Sequence, residues 1–273
     1  MQTNTVKNDI SNFITKTLEY IIEYHSIDIE LRYKIVSKII FIDDEHYGEE
    51  IHKIDPNAGY TDEEKNKGFG KTIYKEGKNY VIINSQILVC LIKSEFKNII
   101  CKYLIYHELG HCVNNIINPL MHPKEKPKHS IPIKELSEYL FTVAIDEYMA
   151  NNYISFLLSS DDCKALLEGI ALFKDIEKLY TNIFEPFELF HRIWNKSDAI
   201  IKYLFQLIPL FEKSGDIKKI EDLELLNTKP IIEMLKMPIE RYDEIFFYLV
   251  ASFNNIVRDY NSDNPTILQK LIQ

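Results

Sequence analysis

The chain has 273 residues, 46% of them apolar and 27% charged, a composition that argues for a globular protein and against wholesale disorder. Its 32 basic and 41 acidic side chains leave a net charge of −9, so the basic face of a nucleic-acid binder is not expected. No apolar run approaches the roughly 18 residues of a membrane span. The N-terminus has no charged-then-apolar leader, and Cys90, Cys101, Cys112 and Cys163 are too few for a disulfide scaffold. A cytoplasmic protein with reduced thiols and no direct nucleic-acid or membrane partner is therefore expected.

In chain order, the first predicted element is a helix over 9–22, where Ile10, Phe13, Ile14, Leu18, Ile21 and Ile22 share a face. Asn8 or Asp9 would cap it. The β-branched run from Ile35 to Ile42 predicts a strand bounded by Asp43 and Asp44. Residues 43–69 are polar, contain Pro56 and Gly59, and predict a long surface loop. Lys71–Lys75 and Tyr80–Gln86 flank Glu76-Gly77-Lys78 and predict a hairpin. Leu91, Ile92, Phe96, Ile99, Ile100, Tyr103 and Leu104 then recur at three-to-four spacing, predicting a helix that runs into His107. The stretch 118–132, with Pro119, Pro123, Pro127 and Pro132, predicts an exposed loop. Lys134–Leu158 predicts one long helix, and further helices are predicted over 163–180, 199–213, 229–236 and 239–260. A small sheet followed by helices is an α+β pattern, with a core over 1–158 and a helical C-terminal part over 159–273.

Residues 107–111 read His-Glu-Leu-Gly-His. Side chains four apart on a helix differ by about 40°, so His107 and His111 project from one face. Two imidazoles so related can reach one metal ion at about 2.0–2.1 Å each. Glu108 is turned by about 100° from His107, where its carboxylate can take a proton from a metal-bound water. Gly110 costs the helix about 1 kcal/mol against Ala, which predicts a close neighbour such as the hairpin backbone.

An open tetrahedral site needs a third protein ligand. Six residues after His111 stands Ile117, which excludes the metzincin arrangement. His122, His129, Asp146 and Glu147 remain. On the helix 134–158, Glu147 lies on an apolar stripe with Leu140, Val143, Ala144, Ala150 and Ile154, and a carboxylate there is costly unless paired or metal-bound. Small Ala144 and Ala150 would let this helix come close to the first. Asp146 lies on a less apolar face, near Thr142, Met149 and Tyr153. Glu147 is the favoured ligand. Asn151, one turn after it, could orient a histidine by accepting its non-ligating N–H.

These residues resemble the gluzincin zinc metallopeptidases. His107-Glu-Leu-Gly-His111 is followed 36 residues later by Glu147 in Asp-Glu-Tyr-Met-Ala-Asn-Asn-Tyr (146–153). The strand 80–86, the motif helix and the Glu-x-x-Ala-Asn segment are together similar to the ImmA/IrrE family, and a phage-exclusion protease of the Lit type is a further relative of this pattern. The resemblance covers about residues 71–158; no helix-turn-helix accompanies it. It implies a small zincin-like mixed sheet and a zinc ion held by His107, His111 and Glu147. It also implies Glu108 as general base and a substrate-edge strand at Tyr80, Val81, Ile82, Ile83 and Asn84. No motif identifies the group that stabilises the oxyanion; Tyr148, Tyr153 and His191 are candidates.

The expected reaction is hydrolysis of a peptide bond in a protein or peptide substrate, which would add a strand to the 80–86 edge while the loop 118–132 covers the cleft. Two other readings compete. One is a catalytically silent regulatory module with a vestigial metal site. The other is a purely structural site, which needs a fourth ligand; Cys112 is adjacent but points about 100° away from His111.

Overall fold

The computed structural model describes residues 2–28, 30–31, 35–56, 68–119, 133–169, 205–218 and 228–237. The chain divides into two compact units, Met1–His122 with Met149–Leu158, and Pro123–Tyr148 with Ser159–Gln273. Its described residues are mixed α and β, mostly helical, with one three-stranded mixed sheet.

In the first unit, helix α1 spans Gln2–Tyr24. It begins ahead of Asn8 and Asp9, so neither caps it, and it buries Ile10, Ile14, Ile21 and Ile22. Strand β1 is Lys38–Ile42, shorter than predicted. The stretch expected to be a loop contains helix α2, Tyr47–Ile54. Polar side chains obscure its pattern, but Tyr47, Ile51 and Ile54 recur at helical spacing, and the first two are fully buried. Strands β2, Gly70–Lys75, and β3, Lys78–Asn84, form the expected hairpin. Its turn residues Glu76 and Gly77 both have positive φ, 53° and 74°, as a two-residue turn matched to strand twist requires.

The strand order is β1-β3-β2, with β1 parallel and β2 antiparallel to β3. Side chains alternate across β3. Tyr80 and Ile82 face α2 in an apolar cluster with Ile42, Tyr47, Ile51 and Ile73. Asn79 faces the other way, toward helix α4, Ile99–Ile117, which packs on β2 and β3.

The helix predicted to run unbroken into His107 is two helices. The first, α3, is Ser85–Lys93, capped by the Asn84 side chain, which accepts from Gln86 N–H. The chain then turns through Glu95 and Phe96 at positive φ, with Phe96 N–H returning to the Leu91 carbonyl at 2.8 Å as at many helix C-termini. Asn98 then caps α4 by accepting from Cys101 N–H at 3.1 Å. The apolar stripe continues through this break, so periodicity alone does not reveal it. Helix α1 packs against α3 and α4, and Phe13 contacts Phe96 and Tyr106.

Helix α5, Ile133–Ile154, is continuous and is followed by a 3-10 turn at Ser155–Leu157. In the second unit, α6 spans Ser160–Gly169, opened by reciprocal bonds between Ser159 and Asp162. Helix α7 covers 205–214 and α8 covers Thr228–Leu235, and both bury apolar side chains, among them Phe205, Leu210, Ile231 and Ile232. The remainder of the helix predicted over 163–180, the start of that over 199–213, all of that over 239–260 and most of the loop 118–132 lie outside the described residues.

Candidate metal centre

Helix α4 presents His107 and His111 from one face, as their spacing requires. Their Nε2 atoms lie 3.1 Å apart, with ring centroids 4.5 Å apart and planes at 78°. Helix α5 contributes Glu147, and one ligand atom from each of His107, His111 and Glu147 lies within 4.8 Å of the others. All three are buried, at 6%, 9% and 4% exposure. Among the described residues no fourth His, Cys, Asp or Glu joins the group. Cys112 faces the sheet, its Sγ 3.9 Å from Thr72 Oγ1. His122 and His129 lie outside the described residues. Asp146 is buried, at 8% exposure, rather than on the more open face its neighbours predicted.

The donor set fits a metal ion. Two nitrogens each about 2.05 Å from a tetrahedral ion stand about 3.3 Å apart, close to the 3.1 Å observed. Two imidazoles and a carboxylate are a hydrolytic zinc set that leaves one position open. A carboxylate as deep as Glu147 is costly without a compensating positive charge, and a divalent cation would supply it.

The helix crossing that brings these residues together depends on Gly110. A Cβ there would sit 2.1 Å from the Ala150 carbonyl oxygen. The close neighbour is therefore the backbone of α5, not of the hairpin. One turn after Glu147, Asn151 is fully buried, and its Oδ1 lies 2.9 Å from His107 Nδ1. The carbonyl oxygen can only accept, so Nδ1 donates and Nε2 carries the lone pair that faces His111.

Glu108 lies against strand β2. A Cβ on Gly70 would come within 3.0 Å of Glu108 Cγ and 3.4 Å of its Oε1, so the absent side chain leaves space for the carboxylate. The Thr72 hydroxyl donates to the Glu108 carbonyl at 2.9 Å. Asn79 fastens α4 to the sheet just beyond His111, donating to the Cys112 carbonyl at 3.0 Å and to the Ile35 carbonyl at 2.7 Å, and accepting from Asn115 at 2.8 Å.

One expectation is overturned. Tyr80, Val81, Ile82, Ile83 and Asn84 are not on a sheet edge, because each is paired to β1 on one side and, through Ile83, to β2 on the other. A central strand has no free ladder for a peptide. The strand beside Glu108 is β2, paired on one side only among the described residues.

Of the oxyanion candidates, His191 lies outside the described residues. Tyr148 is buried and sits about 100° around the helix from Glu147. Tyr153 is engaged elsewhere. Its hydroxyl accepts from Asn118 at 2.8 Å, at the end of α4, and its carbonyl accepts from His25 at 2.8 Å. Burial pushes the Tyr153 phenol above its ordinary range, opposed by the Asn118 bond. Tyr103, read from sequence as part of an apolar stripe, instead accepts a hydrogen bond from Asn151 at 2.9 Å. Its position four residues before His107 is the signal that could have identified it.

No protein-family model matches the sequence, and no solved structure matches it. A search of curated proteins finds similarity to the flagellar motor switch protein FliG of Buchnera aphidicola subsp. Baizongia pistaciae, 26% identical over 221 residues, covering 74% of this chain. The chain spans 63% of that relative's length. No helix among the described residues is long and apolar enough to cross a membrane.

Proposed function

We propose that the chain is a zinc-dependent peptidase of the gluzincin type, with His107, His111 and Glu147 as ligands and Glu108 as general base. The observation that carries this reading is the convergence of the three buried donors from two helices, with the motif glutamate lying against Gly70 of β2. Zinc held there would lower the pKa of a bound water toward about 7 and polarise a carbonyl. Glu108 would accept the proton of the attacking water and deliver it to the leaving amine nitrogen. Gly70 gives that carboxylate its space, and Thr72 holds its backbone. An extended peptide would lie along β2, where main-chain hydrogen bonds supply affinity.

One observation favours a second reading. The curated relative is named for a motor switch and not for an enzymatic activity, which suits a regulatory module that binds metal without catalysis. Purified protein separates the two. Metal analysis should find one zinc per chain, lost in His107→Ala. Profiling of new N-termini in a whole-proteome digest should find sites cut by the parent. Glu108→Gln should keep the zinc and lower cleavage at least about 100-fold. Cleavage by Glu108→Gln at the parental rate would overturn the mechanism, and zinc without any cleavage would favour the silent module.

A further inference from the structure

Cys90 lies in the last turn of α3 and Cys101 in the first turn of α4, and one side chain touches both residues. Asn98 Oδ1 accepts from Cys101 N–H at 3.1 Å, and Asn98 Nδ2 lies 3.2 Å from Cys90 Sγ. A backbone N–H can only donate, so the amide has one orientation: its oxygen faces Cys101 and its NH2 group donates to the Cys90 sulfur. The two thiols are also hydrogen-bonded to each other. Helix α3 packs on α4, and sulfurs already in contact can close to bonding distance by side-chain rotation.

The four cysteines are free thiols that differ in access. Cys90 is half-buried, Cys101 is 7% exposed, and Cys112 and Cys163 are fully buried. The thiolate is the nucleophile in cysteine oxidation. Burial first, and the neighbouring Cys90 second, push the Cys101 thiol up to about 12, so Cys101 is not the first of the pair to react. Access and ionisation both direct an oxidant to Cys90.

We propose that Cys90 and Cys101 are an oxidisable pair, in which a hydroperoxide reacts at Cys90 and Cys101 closes a reversible disulfide between α3 and α4. In the first step the Cys90 thiolate attacks a peroxide oxygen. The O–O bond breaks, the other oxygen leaves with a proton as water or an alcohol, and Cys90 becomes a sulfenic acid. In the second step the Cys101 sulfur attacks the Cys90 sulfur. The S–O bond breaks, and the hydroxyl leaves with the Cys101 proton as water. The two thiols are oxidised by two electrons and the peroxide is reduced. Contact between the sulfurs makes the second step intramolecular, and a neutral sulfenic acid no longer opposes ionisation of Cys101 as a thiolate would. The pair requires neither the metal nor peptidase activity.

The full chain can be treated with hydrogen peroxide at a dose that oxidises free glutathione, then read by intact mass and peptide mapping. The parent should lose two hydrogens and yield a linked Cys90–Cys101 peptide, and dithiothreitol should restore both thiols. Cys101→Ser should stop at the sulfenic acid, trapped by dimedone on Cys90. In Cys90→Ser, Cys101 should react at least about ten-fold more slowly than Cys90 does in the parent. The proposal fails if parental Cys90 proceeds to sulfinic acid while Cys101 stays free, if Cys90 survives the dose, or if the linkage forms to Cys112 or Cys163. Oxidation of Cys101 in Cys90→Ser at the parental rate would overturn the order of the steps. Where either variant does not fold, the peptide map of the parent alone decides whether the pair exists.

Discussion

Helices α2 and α4 cover opposite faces of one small sheet, yet they are held in different ways. Tyr47 and Ile51 of α2 meet Ile42, Ile73 and Ile82 in an apolar cluster. Helix α4 is fastened by directional contacts: Thr72 on the Glu108 carbonyl, Asn79 on the Cys112 carbonyl, Asn115 on Asn79, and Gly110 against the α5 backbone. Apolar burial is non-directional and scales with area, so it can attach a helix without defining its position to a few tenths of an ångström. A metal centre needs that definition, and hydrogen bonds with a close backbone crossing supply it. The comparison holds only if damage on the α2 side lowers stability alone, while damage on the α4 side also reaches the metal.

The largest effect should come from the crossing. In Gly110→Ala the new methyl has no space, because it would meet the Ala150 carbonyl at 2.1 Å and backbone cannot move aside as a flexible side chain does. We expect a loss above about 4 kcal/mol, at the top of the range for overpacking, read as a large fall in the urea midpoint. A variant that unfolds like the parent would show that the helices do not cross this closely.

Next come two substitutions of comparable cost on opposite faces. Ile51→Ala in α2 should lose about 3 kcal/mol through its cavity and leave the zinc affinity of the folded protein unchanged. Asn79→Ala should lose about 2 kcal/mol, because the Ile35 and Cys112 carbonyls and the Asn115 amide lose a partner. It should also weaken zinc binding several-fold, since the Cys112 carbonyl adjoins His111. Equal affinity losses in the two variants, by chelator competition, would erase the distinction between the faces.

The legibility of the sequence follows the same division. Spacing on a helix dictates which side chains share a face, so His107 with His111, and Glu147 with Asn151, were legible as pairs, whereas the choice of Glu147 over His122, His129 and Asp146 rested on the apolar stripe around it. The hairpin was readable from Glu76-Gly77. Strand order was not, because whether Tyr80–Asn84 is central or at an edge depends on β1, about 40 residues earlier. Helix α2 was hidden by its polar surface. The break at residues 94–98 was hidden because the stripe keeps its phase through it. Asn79 and Gly70 act through partners distant in sequence, so their residue types carried no signal without the fold, whereas Tyr103 had one in its place a turn before His107.

The smallest effect concerns alkaline pH, and it too should fall on α4. Cys101, in its first turn, has a thiol pushed up to about 12 by burial first and by its contact with Cys90 second. Tyr153, bonded to Asn118 at the other end, is also raised by burial. For both groups the folded state holds its proton to higher pH than the unfolded chain, whose thiol titrates near 8.5 and phenol near 10. The folded state thus binds more protons in that window, and stability must fall as pH rises through it. Below about pH 8 neither group contributes a slope. Urea midpoints measured from pH 7 to 11 should be level at first and then decline, the thiol acting before the phenol. Cys101→Ala should flatten the early part of the decline and Tyr153→Phe the later part. Hydrogen exchange over the early, thiol part of the decline should locate the loss in α4 and not in α2, which carries no cysteine. A decline shared equally by both helices would mean that α4 opens only with the whole unit, and that its directional fastening is no weaker in alkali than the apolar cluster across the sheet.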